Sequence, residues 1–84
     1  MNIGILKERA RNENRVAVVP NHVPSLVKQG YTVYLEKGAG TSAGYSDDMY
    51  KEKGTVIIDT KELLIEKVDV LLTIRAGAAD DQGE

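Results

Sequence analysis

Cysteine, phenylalanine and tryptophan are absent from this sequence, which also holds only two prolines and one histidine. Without cysteine there is no disulfide and no thiolate metal site. The single histidine, His22, has no second imidazole to share a metal with. Every serine or threonine would need it as its base, so no catalytic triad can be assembled. A surface role is the expectation for it. With no Phe or Trp, the core must be aliphatic, built from Ile, Leu, Val and Ala beside four tyrosines. No apolar run approaches the roughly 18 residues that a membrane-spanning helix needs. The opening run Ile3-Gly4-Ile5-Leu6 is too short for a signal peptide. Strong charge of one sign is missing as well: a net charge of −2 provides no electrostatic case for nucleic acid. These absences are compatible with a cytoplasmic protein.

What is present suits one small domain or a piece of a larger one. The chain has 84 residues and is 42% hydrophobic, ordinary globular composition, and a chain this short buries only around two-thirds of its unfolded surface. Apolar and β-forming runs predict strands over residues 2–6, 31–36, 55–58 and 69–74. Between them, Asn21 is a candidate cap for a helix that carries Pro24 in its first turn, turns Val23, Leu26 and Val27 to one face, and stops at Gly30. Ser46-Asp47-Asp48 opens a second short helix, stopped by Gly54. Thr60 caps a third over residues 61–66, with Leu63 and Leu64 inward. Strands alternating with crossovers imply an α/β fold with a parallel sheet of about four strands and helices on both faces. By analogy with doubly wound folds, the expected strand order is 2-1-3-4. Residues 1–75 form this domain, and residues 76–84, which have no pattern, are expected to be a mobile tail.

One stretch stands apart. From Lys7 to Pro20 the first strand is followed by Lys7-Glu8-Arg9-Ala10-Arg11-Asn12-Glu13-Asn14-Arg15 and then by the apolar Val16-Ala17-Val18-Val19. A strand-to-helix turn needs only about two to six residues. This longer, arginine-rich connection leaves the carboxyl end of a strand, where open α/β sheets bind ligands. Arginine offers a planar, permanently charged fork for a carboxylate or phosphate. The alternative is a solvated charged loop.

Gly38-Ala39-Gly40-Thr41-Ser42-Ala43 matches the spacing of a dinucleotide fingerprint, with Asp59 about 20 residues further on. The physics fits poorly. The third position must open a helix onto the pyrophosphate, yet Gly44 follows and the first good cap is Ser46. Gly38 and Gly40 are therefore assigned to a tight turn, and Asp47 and Asp48 to helix capping, where N-terminal negative charge is stabilising.

The motifs Lys7-Glu8, Asn12-Glu13-x-Arg15-Val16-Ala17, Pro20, Gly30-x-x-Val33, Glu36-x-Gly38-Ala39-Gly40 and Asp69-Val70-Leu71-Leu72 together resemble the N-terminal domain shared by alanine dehydrogenase and the α subunit of proton-translocating NAD(P) transhydrogenase. The match runs over about residues 1 to 75. The resemblance implies a flavodoxin-like (Rossmann-like) domain, incomplete without later sequence, and NAD bound by a later Rossmann domain absent from this chain. It implies that Arg15 binds a substrate carboxylate. Position 75, a lysine in the dehydrogenases, is Arg75 here and is a second candidate substrate-binding residue. Thr73 likewise stands where the family often has lysine. These departures, with the Lys7-Glu8-Arg9 start, favour the transhydrogenase branch. There the function is hydride transfer between NADH and NADP⁺, with NADP-binding and membrane subunits as partners, peripheral association with the inner membrane through them, and a homo-oligomer in the full protein. The alternatives are an alanine dehydrogenase, oxidising alanine to pyruvate and ammonia, or a non-catalytic partner-binding fragment. No catalytic residue is assigned within the chain.

Overall fold

The computed structural model describes residues 1–8 and 16–73. The strands are β1 (Asn2–Ile5), β2 (Thr32–Glu36), β3 (Val56–Ile58) and β4 (Val70–Leu72). The helices are α1 (Val23–Lys28), α2 (Asp47–Lys51) and α3 (Lys61–Lys67). All strand pairs are parallel, so the expected α/β parallel sheet of four strands is present among the described residues.

Register fixes the two faces of the sheet. Ile3 pairs with Val33 and Ile5 with Leu35. Because side chains alternate along a strand, these four share one face, and Ile57 and Leu72 join it through their pairings with Leu35 and Ile5. This face meets Val16, Val18, Val23, Ala39 and Tyr50 in one aliphatic cluster. It is therefore covered by α1, by α2 through Tyr50, and by the apolar run before α1. The opposite face carries Gly4, Tyr34 and Leu71 and meets α3, whose only buried residue is Leu64. Gly4 is needed there: a Cβ would lie 3.0 Å from both Val68 methyls.

The strand order is β3-β2-β1-β4 and not the expected 2-1-3-4. Helix placement gives the reason. Parallel crossovers share one hand. Tyr50 fixes α2 on the same face as α1, so the step from β2 to β3 repeats the direction of the step from β1 to β2 and puts β3 outside β2. α3 lies on the other face. With the same hand, it carries the chain back past β2 and β1 to the far side.

Two of the three helix starts behave as the sequence suggests. Ser46 Oγ accepts the Met49 N–H at 3.3 Å, and Thr60 Oγ1 accepts the Leu63 N–H at 3.2 Å. Asn21, however, caps nothing. It lies inside a 3₁₀ turn over Pro20–His22 that begins after Val19. Pro20 starts this turn because its fixed φ suits a first helical position. The Pro20 carbonyl accepts the Val23 N–H, so Pro24, which lacks an N–H, leaves no acceptor orphaned. Pro24 is, as expected, in the first turn of α1.

Candidate functional site

In an open α/β sheet, ligands bind beyond the carboxyl ends of the strands, where the strand order reverses. The observed order puts this reversal between β1 and β4. The last bond between them is from Leu6 N–H to the Leu72 carbonyl, 3.3 Å. Past it, one connection continues through Lys7 and Glu8 and the other through Thr73. The expected order would have put the crevice between β1 and β3. The observed one puts it between the strands that precede Arg15 and Arg75. Both arginines lie outside the described residues. The described chain resumes at Val16, directly after Arg15, and Val16 is buried in the core cluster beside Ile5.

The carboxyl edge also holds a group that sequence reasoning passed over. Glu36 ends β2 and is only 4% exposed. Its Oε1 accepts the Lys7 backbone N–H at 2.8 Å. A buried carboxylate is costly without such partners. The signal available in sequence was a charge closing an otherwise apolar strand, at the head of the Glu36-x-Gly38-Ala39-Gly40 motif.

The glycine loop after Glu36 is a socket for a tyrosine. Gly38 takes φ +80° and donates its N–H to Asp47 Oδ1 at 2.9 Å. A Cβ on Gly40 would lie 2.6 Å from Tyr50 Cε2 and 2.9 Å from its hydroxyl, so the second glycine makes room for the ring. A 3₁₀ turn over Thr41–Ala43 follows, Gly44 takes φ +93°, and α2 begins only after Ser46. Among the described residues this loop does not fit a dinucleotide. No helix opens from its third position, Tyr50 occupies the space beside Gly40, and the Asp47 carboxylate would oppose a phosphate. Asp59 is exposed, beyond the end of β3.

Tyr50 is fully buried. Its hydroxyl donates to the Val18 carbonyl at 2.7 Å, and its ring meets Tyr45 edge to face at 6.5 Å. Burial, then the nearby Tyr45 and Asp47, pushes its pKa up to about 12. At neutral pH the hydroxyl is therefore a fixed donor. His22 is exposed. Among the described residues no cluster of His, Asp or Glu could hold a metal ion, and no helix is long and apolar enough to cross a membrane.

At the opposite edge of the sheet, a bracket of backbone and side-chain bonds ties β1 to the start of β4. Asn2 N–H donates to Asp69 Oδ2 at 2.9 Å, and Asn2 Nδ2 donates to the Lys67 carbonyl at 2.9 Å. This bracket fixes the spacing of the two strands whose far ends form the crevice.

The family model for the N-terminal domain of alanine dehydrogenase/PNT matches residues 4–83. An NAD(P) transhydrogenase subunit alpha of Rickettsia prowazekii is 35% identical over 82 residues, covering 98% of this chain and 21% of that protein. The alanine dehydrogenase of Methanococcus maripaludis is 36% identical over 75 residues, covering 89% of this chain and 20% of that protein. Among solved structures, an L-alanine dehydrogenase superposes with a TM-score of 0.81 at 30% identity, over 92% of this chain and 22% of its own. The chain thus spans about a fifth of the length of the relatives it matches.

Proposed function

From the premise that the chain belongs to the alanine dehydrogenase/PNT N-terminal domain family, we propose that it is the amino-terminal portion of the NAD(H)-side α subunit of a proton-translocating NAD(P) transhydrogenase. In this reading the parent protein transfers hydride between NADH and NADP⁺. NAD is bound by a later Rossmann domain, and NADP-binding and membrane subunits are the partners. Residues 1–75 are the core of the amino-terminal domain, which later sequence completes. Leu71, on the face that α3 covers, is 40% exposed, and Leu63 and Ile65 of α3 are 45% exposed, which supports that incompleteness.

Arg15 and Arg75 are proposed to flank the β1/β4 crevice as a carboxylate-binding pair. What supports this is that both connections leave the same edge of adjacent strands. The observation that carries the choice of branch is Arg75, at the position where the family resemblance puts a lysine of the dehydrogenases. Arginine holds a carboxylate well but cannot give up a proton near neutral pH. The dehydrogenase reading has in its favour identities of up to 50%, over 54 residues, to alanine dehydrogenases against 35% over 82 residues to the transhydrogenase subunit.

The deciding assay is alanine-dependent reduction of NAD⁺ by the full-length parent, set beside NADH-dependent reduction of an NADP⁺ analogue with the partner subunits present. The transhydrogenase reading predicts the second activity and none of the first. Robust alanine turnover by the unmodified protein would overturn it. In the same parent, Arg75→Lys is expected to confer weak alanine oxidation and Arg15→Lys none. The 84-residue chain alone is expected not to bind NADH, and a calorimetric dissociation constant below about 100 μM, roughly −5.5 kcal/mol, would contradict that.

A further inference from the structure

The apolar run Val16-Ala17-Val18-Val19 covers the sheet without belonging to it. Val16 and Val18 are buried, and Ala17 and Val19 are half-buried. The run shares one cluster with Ile5 and Leu35, near the carboxyl ends of β1 and β2. Yet Ala17 and Val18 form a bend, and among the described residues the run pairs with no strand. Apolar contact holds it down, and such contact is non-directional. The directed bond comes from a side chain: the Tyr50 hydroxyl donates to the Val18 carbonyl at 2.7 Å. At the α1 end, the Val19 carbonyl accepts the His22 N–H at 3.0 Å. Val19 is extended there, with ψ 158°, as a residue before proline is expected to be.

We propose that residues 16–19 are a strap that leaves the sheet as a unit, hinged at Pro20 and latched by the Tyr50 hydroxyl. Opening breaks no ladder bond between strands. It exposes the small side chains of Val16 and Val18 and breaks the latch. Tyr50 cannot follow the strap. Its ring stands in the socket beside Gly40, where a Cβ would lie 2.6 Å from Cε2, and it meets Tyr45 edge to face. The helix that carries it is capped by Ser46 and tied to Gly38 through Asp47. A phenylalanine at position 50 would fill the same socket and leave the Val18 carbonyl without its donor. The open strap uncovers Ile5 and Leu35 at the carboxyl edge, where open α/β sheets bind ligands, while the sheet itself stays intact.

The sequence has no cysteine, so a single introduced thiol reports its own exposure. The test labels Val18→Cys in the 84-residue chain, beside Val33→Cys as the reporter of sheet opening. Each rate is divided by that of the same thiol in the urea-unfolded chain. The reagent is kept where the rate is first order in it, so that labelling reads the opening equilibrium. Val18→Cys is expected to react at least about a hundredfold faster than Val33→Cys. Its dependence on urea should be shallower, since strap opening exposes little surface. Adding Tyr50→Phe should speed Val18→Cys about tenfold, the effect of one lost buried hydrogen bond. Thr60→Ala removes the α3 cap on the other face and weakens the whole fold by a similar amount, so it should leave Val18→Cys unchanged. Should Val18→Cys fail to fold, Val16→Cys reports the same opening with the same expectations. Equal rates and equal urea dependence at the strap and at position 33 would overturn the proposal. So would an equal rise with Thr60→Ala, or none with Tyr50→Phe.

Discussion

The two faces of the sheet are built to different standards. The face under α1 and α2 is closed: Ile5, Val23, Val33, Leu35 and Tyr50 are fully buried, and Val16 and Val18 nearly so. On the face under α3 the buried apolar side chains are Leu64 and Ile58, while Leu63, Ile65 and Leu71 are each at least 40% exposed. β4 is an edge strand, and its Val70, which pairs with Ile3, is exposed at that edge. Unpaired edges and apolar faces are ordinarily covered or blunted with charge. Here the edge residues are valine and leucine. The closed face holds Val16 and Val18, which follow Arg15 in the sequence. The open face has the character of a docking surface, in line with the proposal that later sequence completes the domain.

The contrast can be attacked first at Leu64, the one buried residue of α3. Leu64→Ala should cost about 3 kcal/mol and release α3, while the exchange protection of the closed face persists. Thermal melts with hydrogen exchange would check this. If the closed face unravelled with it, the two faces would be one cooperative unit. Gly40→Ala probes the other side. A methyl group 2.6 Å from a buried ring atom can be accommodated only by moving Tyr50, at about 2 to 3 kcal/mol in denaturant titrations, and α3 should be undisturbed.

Tyr50→Phe leaves the Val18 carbonyl buried without its donor and should cost about 1 to 2 kcal/mol. It also carries a pH signature. The folded-state pKa of Tyr50 is raised to about 12 from the ordinary 10.0. The neutral phenol is therefore favoured by folding, and its contribution is complete below about pH 10. It is lost as pH climbs from about 10 towards 12, because the unfolded chain ionises first. Alkaline melts of the native chain should show that decline, and the variant should lack the Tyr50 share of it. At the small end, Ser46→Ala should cost about 1 kcal/mol. Asn21→Ala should change stability by well under about 0.5 kcal/mol.

Those last two substitutions show what the sequence could and could not reveal. Ser46 and Thr60 were readable as caps because each precedes a short run with no competing turn signal. Asn21 was not, because Pro20 begins the turn one residue earlier and makes Asn21 an interior position. The parallel α/β class followed from the alternation of runs. Strand order did not, because it depends on which face each crossover takes, and that is decided by Tyr50 inserting beside Val18 and Ala39, residues far from it in sequence. Gly40 does lie in the turn that local spacing assigned it, but the same separation hid its second role, making room for the Tyr50 ring, and the bond from Lys7 to Glu36. Arg15 and Arg75 came to notice through motif resemblance and through the rule that parallel strands end on one edge. The observed order β3-β2-β1-β4 favours their pairing more than the expected one did, because it makes β1 and β4 neighbours.

The most direct test of the contrast is native-state hydrogen exchange on the unmodified chain, residue by residue. The slowest exchange is expected at the centres of β1 and β2. Val70, Leu71 and the amides of α3 should open at least about 2 kcal/mol more readily, as a separate unit of low stability. Uniform protection, with β4 and α3 exchanging only through global unfolding, would contradict the division of the molecule into a closed face and an open one.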